Sequence, residues 1–265
     1  MTKEKHVGIL NGKIAAITGG SRGIGRGIAE AYLAAGAKVA INGRSQEKGD
    51  QAIKEMDAGD RAIFIAGDVT SRKDVQNFIQ GTLDHFGQID ILVNNAGGAS
   101  GFAPVAEITD EAWEHTQNWI LNSTFWATRA ALKHMEPRGS GRIINISSMD
   151  GRQVNKVNVS AYITHKHAMN GFTKAVAFEY GAKGITSNAI GPGAVETDLM
   201  KVNGPVLAKT TGITYEQFKD SFAQVAAINR IIKVEEVAAV ALLLASPDGA
   251  GITGAIIPVD GGSVI

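Results

Sequence analysis

Residues 14–25 read Ile14-Ala15-Ala16-Ile17-Thr18-Gly19-Gly20-Ser21-Arg22-Gly23-Ile24-Gly25. A short apolar run breaks into a glycine-rich turn, and a stretch with helical spacing over 24–35 follows at once. The order predicts strand, tight turn and helix. Glycines there let backbone N–H groups approach a pyrophosphate, and the helix dipole favours its charge. A bare tight turn is the competing reading, but the place between first strand and first helix favours phosphate binding. The spacing is Gly-xxx-Gly-x-Gly, not Gly-x-Gly-x-x-Gly. No Lys-Ser/Thr ending follows, which disfavours nucleotide hydrolysis.

Outward from this turn, short Ile- and Val-rich runs recur at 38–42, 62–66, 89–94, 142–147, 186–190 and 255–259. Together with 14–18 they are apolar on both alternations, the pattern of a parallel sheet covered on both faces. Helical spacing fills 46–56, 72–86, 110–135, 161–180 and 235–244, and Ser71 with Asp74 reads as a helix start. The alternation predicts one doubly wound α/β domain over 1–265, Rossmann-like, with about seven parallel strands and helices on both faces. Between Ile190 and Glu235 lie roughly forty residues without a strand, with helical character at 200–209 and 215–227. We read 191–233 as a helical substrate lid.

The chain has 265 residues, with 26 Lys+Arg against 26 Asp+Glu. Without a net field, neither nucleic acid nor an acidic membrane surface is an expected partner. Cysteine is absent, which excludes disulfides, thiolate zinc sites and cysteine nucleophiles and fits a cytoplasmic location. No signal peptide is expected from the first residues, and the longest apolar run, 237–245, is too short to span a bilayer. The 32 glycines are spread between apolar segments, which suits tight strand-to-helix turns.

The second strand ends Ile41-Asn42-Gly43-Arg44-Ser45. An NAD-binding unit places an acid near this point for the ribose 2′-hydroxyl. Here Gly43 stands instead, and Arg44 with Arg22 suits a 2′-phosphate. NADP(H) is therefore the favoured cofactor, NAD(H) remains possible, and two solvated surface arginines are the other reading. Farther on, the fifth strand runs into Ser147-Ser148, and Tyr162 and Lys166 follow one helical turn apart. A nearby ammonium favours a phenolate, and Ser148 can donate to a substrate oxygen as charge develops. These parts move a proton on a carbinol oxygen while a hydride moves on carbon. The same Tyr-xxx-Lys spacing recurs at Tyr215 and Lys219, which we read as an exposed helix face. His165 and His167 point to different faces, so a polar helix surface and no metal site is expected.

The chain resembles the short-chain dehydrogenase/reductase family over nearly its whole length. The resemblance is carried by the turn at 18–25, Gly67-Asp68-Val69, Asn94-Asn95-Ala96-Gly97, the Ser148/Tyr162/Lys166 set, Asn188 to Gly193 leading to Thr197, and Val259-Asp260-Gly261-Gly262. It implies an enzyme acting on CH–OH with NAD(P), usually a homotetramer, with Ser148, Tyr162 and Lys166 catalytic. It implies dinucleotide contacts from Gly19, Ser21, Arg22, Gly23, Ile24, Gly25 and Arg44. Asp68 and Val69 would hold the adenine, and Asn94, Ala96 and Gly97 would line the nicotinamide ribose side. Lys166 would bind the ribose hydroxyls and Thr197 the carboxamide, with Tyr162, Pro192, Gly193 and Val195 completing the set.

Two departures stand out. Tyr162 follows Ser148 by 14 residues, one more than is common in the family. The family's helix asparagine, whose carbonyl orders a water near the lysine, aligns with Ile120, flanked by Asn118 and Asn122. A regular helix would turn Asn122 away, leaving the Ile120 carbonyl to hold that water alone, which we favour; a bulge that shifts the register would instead let Asn122 take that place. The expected activity is NADPH-dependent ketone reduction, as in 3-oxoacyl carrier-protein reductases. An NAD-dependent 3-hydroxybutyrate-like or polyol dehydrogenase is the alternative, and a non-catalytic dinucleotide sensor is the reading from another class. Asp150 either faces a polar substrate or caps its loop.

Overall fold

The computed structural model describes residues 8–154, 156–197, 200–201, 204–205, 208–209 and 212–263. Side chains of β1 (Ile14–Ile17) alternate between two cores, Ala15 and Ile17 on one side and Ala16 on the other. The division repeats along β2 (Lys38–Gly43), where Val39 and Ile41 oppose Ala40. With β3 (Ala62–Ala66), β4 (Ile91–Asn94), β5 (Gly141–Ile146), β6 (Ile185–Pro192) and β7 (Ile256–Val259) they form a parallel sheet. The order is β3-β2-β1-β4-β5-β6-β7. Chain direction across the sheet reverses between β1 and β4, and a crevice opens beyond the carboxyl ends of the strands at such a switch.

The helices are α1 (Gly23–Ala34), α2 (Gln46–Met56), α3 (Arg72–Phe86), α4 (Asp110–Gln117), α5 (Ser123–Met135), α6 (Ser160–Tyr180), α7 (Tyr215–Ala223) and α8 (Val234–Ala245). Ile28 and Tyr32 of α1 and Val237 and Ala241 of α8 fill the first core. The buried Tyr32 hydroxyl, which cannot be left without a partner, donates to the Ala241 carbonyl at 2.9 Å. Phe78 of α3, Ala131 and Met135 of α5 and Val176 of α6 fill the second. Ser71 caps α3, accepting from Asp74 N at 3.3 Å. Among the described residues no helix is long and apolar enough to cross a membrane.

The sequence reading needs two corrections here. The helix expected over 110–135 is interrupted by a π turn, Asn118–Asn122, where Ser123 N bonds to the Asn118 carbonyl five residues back. The wide turn is supported by hydroxyls: Ser123 Oγ donates to the Trp119 carbonyl and Thr124 Oγ1 to that of Ile120, both at 2.7 Å. The helix expected over 215–227 ends at Ala223. The chain turns there so that Ala226 is buried and Ile228 N reaches the Gly261 carbonyl at 3.1 Å. The described residues of 200–209 are helical; 202, 203, 206 and 207 lie outside the described residues.

Candidate active site

The glycine turn is held from the neighbouring strand. Gly19 sits at φ +65°, a left-handed conformation that a side chain resists. Asn95, just past β4, donates from Nδ2 to the carbonyls of Thr18 and Gly19, each at 3.0 Å. Thr18 Oγ1 accepts in return from the N–H groups of Asn95 and Ala96. A Cβ on Gly25 would stand 2.4 Å from Asn95 Nδ2 and from the Gly19 carbonyl, so only glycine lets α1 start this close. Arg22 gives α1 no side-chain cap, and no acid stands in its first turn. The helix dipole there suits a phosphate, so the residues fit a dinucleotide.

A cavity of about 500 Å³ lies over this turn and the strand ends. Gly19, Ser21, Arg22, Gly23 and Ile24 line it from the turn, Arg44 from the end of β2, and Asp68 and Val69 from beyond β3. Ala96 and Gly97 follow β4; Pro192, Gly193, Val195 and Thr197 come from β6 and the segment after it. Ser148, Tyr162 and Lys166 close the far end. Two expected contacts fall outside this lining. Gly25 is packed behind the turn, and its role is steric. Asn94 is 2% exposed and points into the sheet, donating to Thr128 Oγ1 at 3.1 Å and Asn145 Oδ1 at 2.8 Å. Side chains alternate at a strand end, so its neighbour Asn95 meets the cavity instead. Sequence reasoning also missed Lys48, which lines the cavity from the first turn of α2. His115 and Trp119 line it too, outside any motif.

Ser148 ends the fifth strand's run, and its Oγ accepts from Asp150 N at 3.1 Å. It is also hydrogen-bonded to Tyr162. Lys166 is 3% exposed, and its Nζ donates to the Ile146 carbonyl at 2.7 Å, 5.7 Å from the centre of the Tyr162 ring. Burial pushes the Tyr162 phenol above its ordinary value, the Ser148 bond opposes this, and the Asp150 charge adds to it. Burial brings Lys166 down to about 7. The expectation that Lys166 lowers the Tyr162 pKa is therefore not met. Both groups are desolvated, and desolvation disfavours charge on each.

Asp150 neither caps its loop alone nor stands open to the cavity. It is buried and paired with Lys156 at 2.8 Å. Its charge raises the Tyr162 pKa, so Asp150→Asn is expected to lower it. The alkaline fall in the rate of ketone reduction then moves to lower pH, as a profile of kcat/KM against pH checks. An unmoved alkaline limb would remove Asp150 from any part in tuning Tyr162.

Three local expectations change. His167 is exposed, but His165 is buried, its Nδ1 2.7 Å from the Ala161 carbonyl and its ring edge-on to Trp113. Tyr215 is not on an open face, since its hydroxyl is buried and its ring packs against Gly204. The Ile120 carbonyl accepts from Thr124 Oγ1 and, at 3.3 Å, Ser123 Oγ, while Asn122 Nδ2 donates to Asn118 Oδ1 at 2.7 Å. The favoured regular helix with a free Ile120 carbonyl is replaced by the bulge that the other reading required, a π turn whose polar groups bond to one another.

Sheet order, glycine turn and strand-end cavity define a dinucleotide-binding protein of the doubly wound class. The family model for short chain dehydrogenase matches residues 13–208, and the chain belongs to that family. It is 36% identical over 254 residues to D-beta-hydroxybutyrate dehydrogenase of Rhizobium meliloti, covering 94% of this chain and 98% of the relative. The crystal structure of a short chain dehydrogenase from Burkholderia cenocepacia with NADP superposes with a TM-score of 0.84 at 33% identity, covering 96% of this chain and 98% of that one. That of 3-ketoacyl-(acyl-carrier-protein) reductase from Brucella melitensis with NADH gives 0.85 at 30% identity, covering 97% and 100%. Both enzyme groups that the motifs resemble are thus among its relatives. The chain is an oxidoreductase acting on ketones or secondary alcohols with a nicotinamide dinucleotide.

Proposed function

We propose that the chain is an NADPH-dependent ketone reductase, with Tyr162 delivering the proton, Ser148 holding the carbonyl oxygen and Lys166 fixing the reacting end. The observation that carries this reading is a cavity-lining phenol, hydrogen-bonded to Ser148, that burial keeps protonated. Reduction of a carbonyl needs such an acid loaded at neutral pH. The bound nicotinamide supplies the hydride to carbon. The Tyr162 proton goes to the oxygen, the C=O double bond becomes a C–O single bond, and an alcohol leaves. Ser148 Oγ donates to that oxygen as its charge grows. Lys166, within reach of Gly97, is placed to hold ribose hydroxyls on the nicotinamide side. Asp68 and Val69 hold the adenine side.

The NADPH preference rests on charge. Arg22, Arg44 and Lys48 all line the cavity, from the segments that follow β1 and β2, and Gly43 supplies no acid to repel a 2′-phosphate. Arg44→Ala is expected to raise the Kd for NADPH about tenfold or more while NADH binding moves less than about twofold. Fluorescence titration with both dinucleotides checks this, and equal losses would make Arg44 structural. The reading also takes 1–265 as one domain with 191–233 as its lid, working as a cytoplasmic homotetramer. Phe178, 93% exposed on α6, supports a covered helix face in such an assembly. Sedimentation of the purified chain checks the assembly.

A further inference from the structure

We propose that His115 and Trp119, the latter seated on Gly98, select ketones that carry an aromatic ring; this deepens the reductase reading and rests on it. His115 and Trp119 are four residues apart, share one helix face and both line the cavity. Their rings meet edge to face, 5.5 Å between centres and 74° between planes. The indole lies against the backbone of Gly98, where a Cβ would stand 2.6 Å from its Cη2. Any other residue at 98 would drive the ring out of this position. The imidazole is fixed as well, its Nδ1 3.2 Å from Ser100 Oγ, which donates to the Ala112 carbonyl. Nε2 has no hydrogen-bond partner among the described residues. Two aromatic rings thus stand together at the cavity wall.

The charge distribution narrows the ligand further. The charged residues lining the cavity away from Lys166 are Arg22, Arg44, Lys48 and Asp68, all at the ends of β1, β2 and β3. Beside Ser148 and Tyr162 the described lining offers a carboxylate or phosphate no counterion except the buried Lys166, so an uncharged substrate fits. Stacked or edge-on aromatic contacts add stabilisation beyond area alone, which separates a flat ring from a saturated one of equal size.

The test compares NADPH-dependent reduction of 2-tetralone, 2-decalone and ethyl acetoacetate, followed at 340 nm. The expected wild-type kcat/KM favours 2-tetralone over 2-decalone at least about fivefold. In Trp119→Leu that ratio falls below about twofold. Gly98→Ala, which displaces the indole from its seat, and His115→Leu lower it in the same direction and carry the test should Trp119→Leu not fold. Folding is read by circular dichroism and NADPH titration. A wild-type ratio near one, or a ratio unchanged in the folded variants, overturns the aromatic seat and leaves the reductase reading standing if ethyl acetoacetate is reduced. NADPH binding with all three ketones inert overturns the reductase reading and the aromatic seat with it.

Discussion

Tyr162→Phe is expected to bind NADPH and to lose ketone reduction by about a hundredfold to ten-thousandfold in kcat. The substitution removes one oxygen, and with it the proton that must reach the substrate. Ser148 is hydrogen-bonded to Asp150 N and Tyr162, and Lys166 is engaged by the Ile146 carbonyl. Neither can deliver the proton without leaving its partner. Single-turnover reduction with bound NADPH isolates the chemical step. A variant retaining more than about a tenth of the wild-type rate, an effect of ~1.4 kcal/mol, would move the acid elsewhere.

Lys166→Met is expected to cost at least about a hundredfold in turnover and yet to stabilise the chain. Burial brings this ammonium from 10.5 to about 7 in the folded protein. Between these values the unfolded chain binds the extra proton, so stability rises with pH across that window. Below about 7 the folded state carries the buried charge and its full cost. Methionine fills the same volume without it, against the loss of one hydrogen bond to Ile146. The melting temperature of the variant should exceed wild type on the order of 5 °C at pH 6, and the gain should fade towards pH 10. Calorimetry at the two pH values checks this, and a destabilised variant at pH 6 would show that the Ile146 bond outweighs the desolvation.

The fold was legible because its strands are apolar on both alternations and its helices on one face only. Val39 and Ile41 against Ala40 carry that message in three letters. The π turn was legible only as the less favoured alternative that Asn122 raised, because it is a change in hydrogen-bond partner without a compositional mark, and Asn118 to Asn122 suit a regular helix as well. At the site, the motifs located the strand ends but not the direction of each side chain. Asn94 and Asn95 are chemically identical, and only the strand's alternation assigns one to the sheet and the other to the glycine turn. The raised phenol of Tyr162 was missed for a related reason: spacing shows that Lys166 is near, whereas desolvation depends on the packing around both. The cavity wall formed by His115 and Trp119 depends on Gly98 and Ser100, which are distant in sequence and carry no pattern.

The π turn at Asn118–Asn122 lets the helix absorb a change in chain length at the substrate end of this cavity. A regular helix that loses one residue rotates its two halves against each other by about 100°, but one residue fewer in this wide turn closes it to regular geometry and leaves α4 and α5 in nearly the same rotational register. His115, on α4, would keep its place on the cavity wall. Ser148, Tyr162 and Lys166 stand beyond β5 and on α6 and would stay where they are. A gene that loses a single codon at this point keeps the register of the substrate wall and inherits the proton-transfer apparatus intact.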